Sequence, residues 1–161
     1  MSYQIIGETI KSATSIKIGE IFRVQTGTSQ SGDPIYSYPR RYKENITNQT
    51  YPNFHIIQVL VNQTPAGRKR MQLDYLINVQ YRVAENTEDV TNLQQQLDEV
   101  GLRLCSELTE LNLERPTKTK NRNYEKVDGV GQFTFNITVY AIPEESPTIK
   151  MEELELTEEV Y

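Results

Sequence analysis

Residues 71 to 83 read M-Q-L-D-Y-L-I-N-V-Q-Y-R-V, and their alternation decides the fold. Met71, Leu73, Tyr75, Ile77, Val79, Tyr81 and Val83 take the odd positions, while Gln72, Asp74, Asn78, Gln80 and Arg82 take all but one of the even ones. Side chains on a strand point to alternate faces, so the pattern predicts a long β-strand with one buried face and one wet face. At about 3.3 Å per residue the strand would run about 40 Å, roughly twice the usual length. In a small domain this predicts a hairpin that projects beyond its own core toward another subunit.

Upstream, Phe54 to Val61 (F-H-I-I-Q-V-L-V) is continuously apolar enough to predict a buried central strand. The connection N-Q-T-P-A-G-R-K-R between these strands puts Arg68, Lys69 and Arg70 at a hairpin tip or base. They are candidate partner contacts, or a solvated turn with gatekeeper charges. Tyr36 to Thr47 alternates but contains Pro39, which confines it to an edge or a broken strand. Arg40 and Arg41 lie here and are further contact candidates. The Gly/Ser/Thr-rich stretch 24–34, VQTGTSQSGDP, predicts a poorly ordered loop. Residues 3–22 space Ile5, Ile6, Ile10, Ala13, Ile16 or Lys17, and Ile21 at three- and four-residue steps, an amphipathic helix weakened by Gly7 and Gly19.

After Val83 the period changes to about 3.6. Asn86 or Thr87 can cap, Glu88 and Asp89 suit the positive end of a helix dipole, and Val90, Leu93, Leu97, Val100, Leu104, Leu108 and Leu111 form one stripe. A helix ended by Pro116 is predicted, packed on the sheet rather than in a coiled coil. Residues 117–123 read as a basic connector. Tyr124 to Val127 resumes extended structure, Asp128-Gly129 signals a hairpin, and Phe133, Phe135, Ile137 and Val139 mark a last strand stopped by Pro143. The predicted order is α, β, β, β, α, β, β. Leu73, Tyr75, Ile77, Val79, Phe54, Ile56, Leu97, Leu104, Phe133 and Phe135 are its predicted core.

The length of 161 residues fits one domain with a core of its own. Tyr (10) outnumbers Phe (4), which suits surfaces that meet other proteins through rings with a wet tip. A single cysteine rules out an internal disulfide, and the first residues lack a signal peptide's basic start and apolar run. A soluble protein, cytosolic when made, is expected. Residues 1–83 carry 10 basic and 5 acidic side chains, net +5; residues 84–161 carry 7 and 17, net −10. That polarity suits head-to-tail contact between unlike surfaces, although an acidic tail and one acidic helix would give it by chance. Residues 143–161 hold 7 acids and 1 Lys, too few apolar groups for a core. Ile149, Met151, Leu154 and Leu156 nevertheless offer anchors for an arm that orders on a neighbour's strand edge; the alternative is a solubility tail.

Tests for chemistry come out negative. His55, the one histidine, sits in the most apolar strand, and Cys105 lies in the leucine stripe without a histidine near it in sequence, so no metal site, cofactor or nucleophile is expected. Gly129-Val-Gly131 lies in a hairpin, not between strand and helix, and is no phosphate loop. An enzyme is not expected. A nucleic-acid reader has only Arg40, Arg41, Lys43, Arg68, Lys69 and Arg70 with Tyr38 and Tyr42 to work with, in a protein of net charge −5.

Asn121 to Tyr140, N-R-N-Y-E-K-V-D-G-V-G-Q-F-T-F-N-I-T-V-Y, resembles the closing hairpin of phage tail terminator proteins from prophages of Gram-positive bacteria. Arg41-Tyr-Lys-Glu-Asn-Ile-Thr-Asn-Gln49 with Tyr51-Pro-Asn-Phe-His-Ile-Ile57 is similar to that family's first hairpin. The resemblance implies an α+β subunit, a mixed or mainly antiparallel sheet of about five strands packed by two helices. It covers most of residues 1–142, so a domain over 1–142 is expected, with residues 143–161 read from their own composition as an acidic C-terminal arm. It also implies a virion protein, assembled in the host cytoplasm, that caps the tail tube as a hexameric ring. Its partners would be the tail tube protein and a head-completion or neck protein. Six subunits at −5 each would carry −30, so a lumen sharing that sign predicts that DNA passes through unbound, and no stretch approaches the roughly 18 apolar residues of a membrane span. The loop at 24–34 and the segment after Pro143 are longer than the family pattern. Another head-tail connector or a tube subunit is the second reading, and a nucleic-acid-binding module the third.

Overall fold

The computed structural model describes residues 3–44, 48–83 and 90–142. Its centre is the alternating stretch, strand β5 (Met71–Arg82), whose odd residues Leu73, Tyr75, Ile77, Val79 and Tyr81 are all buried. The elements run α1 (Tyr3–Phe22), β1 (Val24–Thr28), β2 (Pro34–Ser37), β3 (Arg41–Tyr42), β4 (Asn53–Pro65), β5, α2 (Val90–Glu107), β6 (Glu110–Asn112), β7 (Pro116–Lys118), β8 (Lys120–Val127) and β9 (Val130–Ala141). Five of these strands form the main sheet in the order β3-β4-β5-β9-β8. All its pairs are antiparallel except β3 with β4, so the sheet is mixed and the fold is α+β as expected.

Register explains why the core forms on one face. Ile77 of β5 stands beside Phe135 of β9 and Gln58 of β4, and two residues on, Val79 stands beside Phe133 and Ile56. Every second residue of three long strands therefore points the same way. Ile6, Ile10, Ile18 and Ile21 of α1 and Leu97, Val100 and Leu104 of α2 join those side chains in a single cluster. All ten predicted core residues lie in it. Burying each large aliphatic or aromatic side chain is worth about 1.5–3 kcal/mol.

The two helices meet through Arg103 of α2. Its guanidinium donates to the Ile21 carbonyl at the end of α1, lies 4.8 Å over the Phe22 ring and pairs with Glu107 at 3.0 Å. An arginine thus satisfies a helix C-terminus that has no glycine cap. Gly19 of α1 is where the Arg41 side chain crosses the helix, leaving no room for a Cβ. On α1 the buried row runs through Thr14 and Ile18, with the Thr14 hydroxyl satisfied by the Ile10 carbonyl at 2.8 Å; Ile16, expected in the stripe, is exposed.

Several expectations are corrected. Residues 24–34 are not a formless loop: β1 pairs with β2, Val24 opposite Ser37 and Thr28 opposite Pro34, closed by a turn in which Ser29 N–H bonds the Asp33 carbonyl at 2.7 Å. Both faces of this ribbon are largely exposed, so no hydrophobic alternation announces it. As Pro39 led one to expect, the stretch 36–47 is broken, into β2 and the two-residue edge strand β3; residues 45–47 lie outside the described residues. β4 is not central; that place belongs to β5.

The second helix stops at Glu107, not at Pro116. Leu108 and Leu111 are buried as expected; Leu108 N–H still closes the last turn on the Leu104 carbonyl at 3.0 Å, while Leu111 lies on strand β6. Thr119 draws the chain out of the helix: its hydroxyl donates to the Leu108 carbonyl at 2.9 Å and its N–H to the Thr109 carbonyl at 3.0 Å. The expected connector 117–123 therefore belongs to the small β6–β7 sheet and to β8. The capping residues Asn86, Thr87, Glu88 and Asp89 lie outside the described residues. Asp128 (φ 50°) and Gly129 (φ 75°) both adopt the left-handed conformation that a two-residue hairpin needs.

Candidate interaction surfaces

The long hairpin does not project alone. β9 accompanies β5 along its full length, from Gly131 beside Tyr81 to Ala141 beside Met71. What is bare is the outer side of β4. β3 covers only Phe54 and His55, and beyond them no strand among the described residues pairs with that edge. β4 contains no Asp, Glu, Lys or Arg from Asn53 to Pro65, and Val59 and Val61 are 52% and 61% exposed. Soluble proteins usually protect a long edge with charge, proline or a short strand. Here Pro65 stands at the very end and the exposed edge residues are uncharged. The opposite edge of the sheet, β8, carries Lys120, Arg122, Glu125 and Lys126.

At the far end of β4 the turn to β5 presents Arg68, Lys69 and Arg70. All three are exposed. Gly67 (φ 103°) and Lys69 (φ 61°) bend the chain, and Ala66 N–H closes the turn on the Arg70 carbonyl at 3.0 Å. Arg70 stacks 4.0 Å over the Tyr140 ring, which fixes one of the three cations beside β9. Arg40 is also exposed. Arg41 is committed within its own chain, donating through Nη1 to the Ser15 carbonyl at 2.8 Å and through Nε to the Pro39 carbonyl at 3.2 Å. The structure thus brings Arg68, Lys69 and Arg70 together and sets Arg40 and Arg41 apart, at the β3 end. Ile149, Met151, Leu154 and Leu156 lie outside the described residues.

The sheet face away from the helices is largely polar. Asp74, Asn78 and Gln80 of β5 lie beside Thr138, Thr134 and Gln132 of β9 and Gln72 beside Tyr140, with Leu76 beside Val59 of β4 as its apolar part. The Thr138 hydroxyl donates to Asp74 at 2.6 Å, and this bond, ahead of those from Gln72 and Asn62, holds the carboxyl below its ordinary range. His55 is buried; desolvation first, then the nearby charges of Arg82 and Lys11, push its pKa down, so the ring is neutral at pH 7. Burial raises the Cys105 thiol, which keeps it in its unreactive protonated form. Among the described residues no group of three or more His, Cys, Asp or Glu could hold a metal ion. No helix of the described residues is long and apolar enough to cross a membrane.

The signal that sequence reading missed is the charge-free outer half of β4. It was legible as thirteen consecutive uncharged residues, but a continuous apolar run is also the mark of a buried strand. The sequence model of a family described as phage tail terminator protein matches residues 34–149, most of the chain. No curated protein matches it.

Proposed function

Because the chain belongs to the phage tail terminator family, we propose that it caps the tail tube as a closed ring of six subunits, ends tube polymerisation and offers the attachment surface for the head or neck. As a family member it is a structural tail protein, and such a protein works by contact with other tail and head proteins. The observation that carries the ring reading is the free, charge-free edge of β4. A sheet with one bare uncharged edge and one charged edge presents two unlike surfaces, and repeated contact between unlike surfaces closes into rings when the rotation allows. Arg68, Lys69 and Arg70 are proposed to face a partner protein, not the channel. The segment from Pro143 on is proposed as an acidic arm that reaches neighbouring subunits or the neck. DNA is proposed to pass through the ring without specific binding.

Native mass spectrometry tests the ring. A single species at six times the 18.6 kDa subunit supports the proposal. A monomer at concentrations where tail proteins assemble overturns it. A connector of another kind would appear as a closed ring of different subunit number, and a nucleic-acid-binding module as tight binding to duplex DNA at physiological salt.

A further inference from the structure

β9 has a second bare stretch. β8 pairs with it from Val127 beside Val130 to Lys120 beside Asn136, and beyond Asn136 no strand among the described residues pairs with that side of β9. The bare stretch borders a groove of about 720 Å³ between the end of β9, the β6–β7 hairpin and the start of α1. Its floor is apolar, with Ile6, Ile10 and Val139. Its rim holds Arg70, Arg115 and Lys118 against the single acid Glu114. A groove with an apolar floor, an unpaired strand edge and an excess of positive charge suits an extended acidic peptide with spaced apolar side chains.

We propose that this groove receives the chain's own segment 147–156. Ile142 lines the groove, so the segment starts at its mouth. The four residues 143–146 (P-E-E-S) are long enough to reverse the chain, as hairpin loops of two to five residues do. Residues 147–156, P-T-I-K-M-E-E-L-E-L, carry Ile149 and Met151, which share one face of an extended chain, for the floor, and Glu152, Glu153 and Glu155 for Arg70, Arg115 and Lys118. Returning antiparallel to β9, the segment satisfies the backbone groups beyond Asn136. A short tether holds it at an effective concentration in the millimolar range, so modest contacts suffice. In a ring the same groove takes the arm of the adjacent copy by exchange, which needs no new chemistry.

Disulfide trapping in the full-length chain tests this. With Cys105→Ser as background, Thr117→Cys in the groove is combined in turn with Ile149→Cys, Met151→Cys and Leu154→Cys. The comparison places the groove cysteine instead at Asp128→Cys, in the β8–β9 turn at the other end of β9, about 40 Å away. At least one groove pair should close ten times faster than its comparison pair. Arg115→Glu with Lys118→Glu, or 1 M salt, should cancel the advantage. Equal rates at both positions, or an advantage indifferent to charge reversal and salt, overturn the proposal. Native mass spectrometry of the same samples separates this result from the ring reading. Trapping without rings leaves the groove assignment standing and removes the ring; rings without trapping do the reverse. Mixing one chain carrying Thr117→Cys with another carrying Met151→Cys shows whether the arm is exchanged in the ring.

Discussion

Tyr124 shows how a single side chain joins three elements. Its ring lies against Gly101 of α2 and Gly131 of β9, at both of which a Cβ would collide with it, and its hydroxyl donates to the Leu97 carbonyl at 2.6 Å. Burial first, then the charge of Asp98, pushes the phenol up to about 12 from the ordinary 10.0. The folded state therefore favours the neutral form. Its contribution is complete below pH 10 and is lost as pH rises through 10 toward 12. Tyr124→Phe should lower stability by about 1 kcal/mol at pH 7 and flatten the alkaline limb of a melting-temperature profile. Gly101→Ala should cost more, about 1–3 kcal/mol, since the inserted methyl must displace the ring. His55 gives the opposite sign of slope. Its pKa is depressed from 6.5, so its contribution is present above pH 6.5 and fades as pH falls through the folded value. It is the one histidine in the chain, so His55→Gln should remove the stability loss that sets in as pH falls below 6.5; an unchanged profile would refute the assignment. In the centre of the core, Ile77→Ala and Leu97→Ala should each cost about 2–5 kcal/mol in a denaturant titration.

At the scale of elements, legibility in the sequence followed burial. β5, β9, α1 and the body of α2 could be read because each turns one face to the core, which writes a period of two or 3.6 into the chain. The β1–β2 ribbon could not, because neither of its faces is buried and Thr, Ser and Gln serve equally well in loops. The end of α2 was misplaced because Leu111 keeps helical spacing from Leu104 and Leu108 but lies on strand β6, where Thr119 has drawn the chain out of the helix. The candidate site was legible in part. The cluster Arg68, Lys69 and Arg70 was found as a charge run in a turn, whereas the bare edge of β4 has the composition of a core strand and only topology shows that no strand among the described residues pairs with it. Edge chemistry yields a sharp prediction. Val59→Lys with Val61→Lys should shift stability of the isolated subunit by no more than about 0.5 kcal/mol each, as exposed substitutions do, while reducing self-association. Sedimentation and thermal unfolding on one sample check it. Unaltered association would show that β4 is not the subunit edge.

For the whole molecule the decisive quantity is charge. In the proposed ring six copies at −5 each would carry −30, and a channel sharing that sign would repel phosphate and let DNA slide through. The basic turn Arg68, Lys69 and Arg70 works against this if it lines the channel and helps if it meets an acidic partner surface. Its geometry favours the second role. Arg70 is held over Tyr140 on the same end of the sheet as the acidic-peptide groove, so the turn and the groove form one basic end of the subunit, while the residues after 83 are net acidic. Reversing Arg68 and Arg70 to Glu should therefore weaken ring formation and leave the melting temperature of the subunit nearly unchanged, because both side chains are exposed. The loss should be greatest at low ionic strength and shrink as salt rises, since the Debye length falls from about 10 Å at 0.1 M to about 3 Å at 1 M. Light scattering across a salt series reads it directly. If the reversed chain assembles as well as the original at low salt, the basic turn faces solvent. If the original chain instead binds duplex DNA with an affinity that falls steeply with salt and the reversed one does not, the turn contacts nucleic acid and the closed-ring assignment of this surface fails.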